Sequence, residues 1–412
     1  VVGQFFIDPF LHLSIDMIYL DSNATTQIHP EVVDAMLPFL TEHWYNPSSG
    51  YRAAKVVRQA LDLAHEQVAA LIGAKPEEIV FTGCGTESNN AVLGFLASRA
   101  GEKRRILTSA IEHSAILRYS ESLAETDGFS VEKIGVGADG RLDLEAYASA
   151  LSQEAEGGCA MASLMWANNE TGVIQPMAEA CDLARAAGVP FHTDAIQAVG
   201  KTPVNVRDMA VDYLSISGHK FHAPKGVGAL YVRGGMPFAP LLRGGGQEGG
   251  RRSGTENVAS IVAMGKAAEL MQARLEADGH AGVKELRDHF ENRLLSELEG
   301  VRVNGSLAHR TVNTSHLSFD SCEAAGLLIL LDEYGVQCSA GSACMTGKQQ
   351  PSHVQTAMGI PAAQAKSSLR ISFSIFTTRQ ECDTAVEAVK KAVNKLRSVQ
   401  GGPGVGPVQV FT

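Results

Sequence analysis

What most constrains this chain is an alternation along its first 230 or so residues. Short apolar runs at residues 78–82, 105–109, 160–166, 189–192, 213–217 and 227–232 are separated, in most intervals, by stretches with helical apolar spacing. Runs without polar alternation need cover on both faces, and a parallel return to the same sheet needs a crossover of about a dozen residues, which a helix supplies. The order therefore predicts a mainly parallel sheet with helices packed on it. Residues 52–72 show the helical half of the pattern: Val56, Val57, Ala60, Leu61, Ala64, Val68 and Leu71 recur at helical spacing.

At 412 residues the chain is long enough for a large domain and a smaller one. After a glycine cluster at 244–250, a helical stretch over 261–298, interrupted near Asp278 and Gly279, reads as the link between them. Residues 301–397 mix short strands, such as 314–319, with helices. The expected division is a large domain at 32–275, a small α+β domain from 17–31 and 276–398, an extension at 1–16 and a flexible tail at 399–412.

Charge and cysteine content narrow the function classes. The net charge is −10 with scattered Lys and Arg, which argues against nucleic acid or an anionic membrane as partner. No apolar run approaches the roughly 18 residues needed to span a bilayer. No Lys or Arg precedes Arg52, so the opening residues lack the basic region of a secretory signal and the Arg-rich face of a mitochondrial presequence; the expected compartment is the cytoplasm. Seven cysteines, with no C-x-x-C pair, argue against a disulfide framework or a zinc site.

In parallel α/β sheets ligands sit where strands end and helices begin. Gly85-Thr86-Glu87-Ser88 follows a strand and opens a helix, which suits a phosphate, though a plain glycine turn reads the same. Gly244-x-Gly246-x-x-Gly249 matches a dinucleotide fingerprint by letter but lacks the strand and helix around it. Lys220, in Ser217-Gly218-His219-Lys220, follows a strand where a Schiff-base lysine could sit; alone it also reads as a solvated lysine. Asp194 suits a protonated ring nitrogen or a helix N-cap, while His113 and Asn168 suit an acid/base and an orienting amide, or turns. Cys344 lies in a Gly- and Pro-containing stretch expected to be a mobile surface loop, whereas Cys338, near the apolar segment 327–331, reads as buried.

Taken in order, Tyr19-Leu20-Asp21 with Ala24-Thr25-Thr26, Gly85 to Asn90, Glu112-His113, Asn168-Asn169-Glu170-x-Gly172, His192-x-Asp194-Ala195-x-Gln197, Ser217 to Lys220, Arg252 to Asn257 and Gly341-Ser342-Ala343-Cys344 resemble the cysteine desulfurases of the class V aminotransferase family. The Gly-Ser-Ala-Cys loop, with a long segment before Pro351-Ser352-His353, is similar to the group I branch that serves iron–sulfur assembly. Ala223, Met345, 348–350 and Ser374-Ile375 depart from the usual pattern.

The resemblance implies the pyridoxal-phosphate transferase fold type I, with a mainly parallel, mixed seven-stranded sheet, and pyridoxal 5'-phosphate as cofactor. It implies that Lys220 binds the cofactor and moves the substrate α-proton, that Asp194 pairs with the ring nitrogen, that His113 stacks on the ring, and that Asn168 and Gln197 meet the ring oxygen. Gly85, Thr86, Ser217, Gly218 and His219 would hold the phosphate, joined by Thr255 from the second subunit of a homodimer. Asn168 and Arg370 would bind substrate, L-cysteine, and Cys344 would take its sulfur as a persulfide for an acceptor such as an iron–sulfur scaffold. No metal is expected. Selenocysteine lysis, transamination and a catalytically silent scaffold are the alternatives; the joint presence of Lys220, Asp194, His113 and Cys344 argues against the last.

Overall fold

The computed structural model describes residues 17–153, 158–341 and 351–400. Cys344, Met345 and 348–350, the extension at 1–16 and the tail from Gly401 lie outside the described residues.

Strand β1 (Ile18–Tyr19) comes first, followed by β2 (Ile79–Thr82), β3 (Arg105–Ser109), β4 (Ser130–Ile134), β5 (Cys159–Met165), β6 (Phe191–Asp194), β7 (Tyr213–Ser217) and β8 (Gly228–Val232). The last seven form one sheet in the order β2-β8-β7-β6-β5-β3-β4. The β7-β6-β5-β3-β4 pairs are parallel, while β8 runs antiparallel to both β7 and β2, so the sheet is mixed as the resemblance implied. The expected strands sit within one or two residues of their predicted positions. β4 is the one that apolar runs did not reveal: it lies at the sheet edge, only Ile134 of its residues is buried, and Ser130, Glu132 and Lys133 dilute its apolar content.

Helix Arg52–Ile72 buries Ala54, Val57, Leu61, Ala64, Val68 and Leu71 on one face, each Val or Leu worth about 1.5–3 kcal/mol when fully covered. It ends at Gly73, whose φ of 70° is left-handed, a conformation that glycine adopts without a Cβ clash. This helix packs along Val258–Asp278, and His280, with a left-handed φ of 61°, starts the next helix, Ala281–Glu297. The long helical stretch of the sequence is therefore two helices.

A second sheet, all antiparallel, is built from β9 (Val301–Val303), β10 (Thr314–Phe319), β12 (Ser339–Ala340) and β13 (Ser368–Ser372) in the order β12-β13-β10-β9, and β11 (Val336–Gln337) pairs with β1 in parallel. Its apolar core combines Ile18 and Leu20 with Phe290, Leu317, Phe319, Leu331 and Val389. The N-terminal segment thus crosses back to the C-terminal third, a contact of high sequence separation. The last helix, Arg379–Gln400, extends two residues into the stretch read as tail. No helix among the described residues is long and apolar enough to cross a membrane.

Candidate active site

The parallel register puts the carboxyl ends of β3, β5, β6 and β7 at one sheet edge: Met165 pairs with Asp194, and Asp194 with Ser215. Asp194 is the last residue of β6, and His113, Asn168 and Lys220 follow the ends of β3, β5 and β7 within a few residues. That is why residues scattered over more than a hundred positions meet.

Asp194 is buried, and both carboxylate oxygens are occupied: Asn89 Nδ2 donates to Oδ2 at 2.8 Å and the Ile196 N–H donates to Oδ1 at 3.1 Å. The carboxylate is fixed in orientation by a side chain from the helix Gly85–Ser98. Lys220 lies in the short turn Gly218–Lys220 directly after β7, and its Nζ donates to the carbonyl oxygens of Asn23 at 2.7 Å and Ala24 at 2.8 Å. His219 faces Thr25 Oγ1 at 3.2 Å; burial, with the Lys220, Lys225 and Lys201 charges, pushes its imidazole down to about 4, so the ring is neutral near pH 7.

Helix Gly85–Ser98 begins at the same edge. A Cβ at Gly85 would lie 2.1 Å from Ile196 Cδ1 and 3.3 Å from Ser217 Cβ, so glycine is what lets the helix N-terminus seat against Ser217. Its free N–H groups and the exposed Thr86 face outward. Thr86 and His113 share a cleft of about 350 Å³ with Asn90, Ser114, Arg118 and Tyr119. His113 also caps its own helix, its Nδ1 accepting the Ala115 N–H at 3.1 Å.

Asn168 is fully buried and heavily used. Its Oδ1 accepts from the N–H groups of Glu170 and Thr171, at 2.9 and 3.0 Å, and its Nδ2 donates to the Ile111 carbonyl at 3.1 Å and the Met165 sulfur at 3.4 Å. It shapes the loop whose Asn169 carbonyl accepts from Arg370 Nη1 at 3.2 Å. Arg370 on β13 is buried and paired with Asp21 at 2.7 Å, and its Nε has no protein acceptor. Asp21 in turn accepts from Ser339 Oγ at 2.8 Å. Gln197 is buried, its Nε2 donating to the Asn23 carbonyl at 3.0 Å.

Thr255 is exposed, and the neighbouring Arg252 pairs with Glu87 at 2.9 Å near the start of the Gly85 helix. Cys338 packs against the apolar core of the second sheet, and burial pushes its thiol up to about 12, which leaves it an inert thiol. His192, quoted within the Asp194 motif, sits in the core between Ser163 Oγ at 2.8 Å and Ser215 Oγ at 3.0 Å. Cys344 lies outside the described residues.

Three participants carried no role in the sequence reading. Asn89 was quoted only as part of a motif, Asn23 falls in the gap between Tyr19-Leu20-Asp21 and Ala24-Thr25-Thr26, and the buried Lys201 follows the Asp194 segment. An asparagine after a glycine-opened helix start was a signal; nothing local marks the other two.

The donor set suits pyridoxal phosphate. A buried, oriented carboxylate matches a protonated ring nitrogen, an amine matches the aldehyde, and a helix N-terminus with Thr86, Ser217 and His219 matches the phosphate.

The chain matches the aminotransferase class-V family over residues 18–384. It is 44% identical over 394 residues to "Cysteine desulfurase NifS" of Azotobacter vinelandii, covering 95% of this chain and 96% of that one. Among solved structures, a "NIFS-LIKE PROTEIN" superposes with a TM-score of 0.84 at 34% identity, covering 92% of this chain and 100% of the other. "SspA in complex with cysteine" superposes with a TM-score of 0.75 at 32% identity, covering 87% and 99%. The chain therefore belongs to the class-V aminotransferase family, among its cysteine desulfurases, whose cofactor is pyridoxal 5'-phosphate.

Proposed function

We propose that this site converts L-cysteine to L-alanine and moves the sulfur to Cys344 as a persulfide. In the net step the substrate Cβ–S bond breaks, an S–S bond to the Cys344 sulfur forms, and the thiol proton of Cys344 is balanced by the hydrogen gained at Cβ. The carrying observation is the convergence of Asp194, Lys220 and the Gly85 helix terminus at one sheet edge, in a chain 44% identical to a cysteine desulfurase. SspA, solved with cysteine, supports the choice of substrate.

When bound, pyridoxal phosphate supplies an electron sink for the pair of electrons left at Cα. Asp194, its carboxylate held by Asn89, would pair with the ring nitrogen. Lys220 carries the cofactor and exchanges the α-proton. His113, which lines the cleft, would stack on the ring and handle protons there. Gln197 supplies an amide donor to the ring oxygen, as does Asn168 by exchanging its weak contact to the Met165 sulfur. Gly85, Thr86, Ser217, Gly218 and the neutral His219 hold the phosphate. Arg370 takes the substrate carboxylate, its unpartnered Nε giving a donor that Asp21 does not use.

The reading includes a homodimer in which Thr255 reaches the phosphate of the second subunit. The exposure of Thr255, and of Leu37, Leu40, Trp44, Leu241 and Leu242, supports it. It includes a division into domains at 32–275 and at 17–31 with 276–398, supported by their separate apolar cores. It places the enzyme in the cytoplasm, where the six described free thiols stay reduced, and gives it a sulfur acceptor such as an iron–sulfur scaffold.

The test uses Cys344→Ala and Lys220→Ala. The Cys344 variant keeps the cofactor's visible absorption but forms no persulfide and loses sulfide release from L-cysteine; Lys220→Ala loses the lysine-dependent absorption, which borohydride traps on that residue in wild type. Undiminished turnover by Cys344→Ala sinks the sulfur-transfer role.

A further inference from the structure

Lys201 is a basic side chain that the reaction above does not use, buried beside the site with only 8% of its surface exposed. Its Nζ donates to Gln197 Oε1 and, at 2.9 Å, to Asn23 Oδ1. The backbone carbonyl of the same Asn23 accepts from Lys220 Nζ at 2.7 Å and from Gln197 Nε2 at 3.0 Å. Asn23 is itself held by Asn313 Nδ2, which donates to its Oδ1 at 3.0 Å, and by Thr314 Oγ1, which accepts from its Nδ2 at 2.9 Å. Lys201 and Lys220 also line one cavity of about 30 Å³.

A primary amide accepts at one end and donates at the other, and Lys201 Nζ is placed as donor to the oxygens of both amides, Gln197 Oε1 and Asn23 Oδ1. With Lys201 on its oxygen, Gln197 has one orientation: its NH₂ end faces away from Lys201. Without that contact, only the Asn23 carbonyl, which accepts from Gln197 Nε2, would oppose a half-turn of the amide that exchanges the two ends. The groups facing Lys201 sharpen the point, because both hydrogen-bond partners are neutral amide oxygens while Lys220 and Arg370 are cations, and these charges together with burial push its pKa down. His219 and His222 also sense Lys201, and burial keeps both rings neutral near pH 7. A basic group buried against amide oxygens rather than a carboxylate is costly unless its donors are used.

We propose that Lys201 is a positioning residue: it fixes Gln197 with its NH₂ end available to the cofactor ring and, through Asn23, holds the carbonyl on which Lys220 docks. The proposal rests on the assignment of Gln197 to the ring oxygen. The test compares the pH midpoint of the visible absorption of the cofactor-loaded enzyme in wild type, Lys201→Met, Gln197→Ala and the double variant. Losing one hydrogen bond is expected to move the midpoint by about 0.4–1 pH unit. Lys201→Met and Gln197→Ala shift it in the same direction, and the double variant shifts no further than the larger single one. Lys201→Arg, which keeps the donors and guards against a variant that fails to fold, retains the wild-type midpoint. Additive shifts in the double variant, a wild-type midpoint in Lys201→Met, or a wild-type midpoint in Gln197→Ala each overturn the proposal. The assignment of Lys220 to the cofactor stands or falls separately, on the loss of absorption in Lys220→Ala.

Discussion

Arg370 offers a test in which binding and stability separate. The guanidinium is buried, donates to Asp21 Oδ1 at 2.7 Å and to the Asn169 carbonyl at 3.2 Å, and keeps an unpartnered Nε. Arg370→Gln removes the charge proposed to meet the substrate carboxylate and also strands the largely buried Asp21. A hydrogen bond to a charged group contributes about 1.5–3 kcal/mol, so the KM for L-cysteine should rise by about 10- to 150-fold. Stranding one partner of a buried pair costs about 3–5 kcal/mol of stability. Adding Asp21→Asn removes the stranded carboxylate and should recover much of that stability while leaving the KM high. The assay is alanine formation against L-cysteine concentration for the two single variants and the double, beside thermal melts of the same cofactor-loaded samples. A KM within about threefold of wild type in Arg370→Gln, well under one such hydrogen bond, would falsify the clamp. A double variant that regains both stability and KM would show that the single variant acted only by misfolding.

Two further outcomes follow from buried groups. Burial pushes the fully buried Glu112 carboxyl from 4.5 up to about 8; hydrogen bonds from Ser109 and the Met165 N–H oppose the rise and the Asp194 charge adds to it. Its raised folded pKa gives a stabilisation fully present below about pH 4.5 and lost as pH rises through about 8, so the melting temperature of wild type should fall relative to Glu112→Gln between those limits; parallel pH profiles would refute this. Gly85→Ala puts a Cβ 2.1 Å from Ile196 Cδ1, and overpacking of about 1–3 kcal/mol should weaken pyridoxal phosphate binding by about 5- to 150-fold in a fluorescence titration. Ile196→Val, which removes that methyl, should restore part of the loss in the Gly85→Ala background, and failure to do so would argue for a different cause.

The strands made mainly of apolar residues, such as β2, β5 and β8, were legible in the sequence because burial on both faces demands such runs. β4 was not, because an edge strand with Glu132 and Lys133 has no such demand. The site followed the same rule. Asp194 ends one readable strand and Lys220 comes three residues after another, so their placement at one edge was foreseeable. Asn23 and Lys201 do not: their importance comes from contacts with residues far away in sequence, such as Asn23 with Asn313.

The sequence by itself therefore determined the local chemistry: which strands end in reactive side chains, where glycine opens a helix, and which ordered motifs belong together. The tertiary structure decided how those groups are held. Asn89 orients Asp194, Asp21 pairs with Arg370 from 349 residues away, and the Asn23 segment returns from the start of the chain to contact Lys201, Gln197 and Lys220. Apolar periodicity is written into neighbouring residues, whereas a hydrogen bond between distant side chains exists only once the backbone has brought them within about 3 Å.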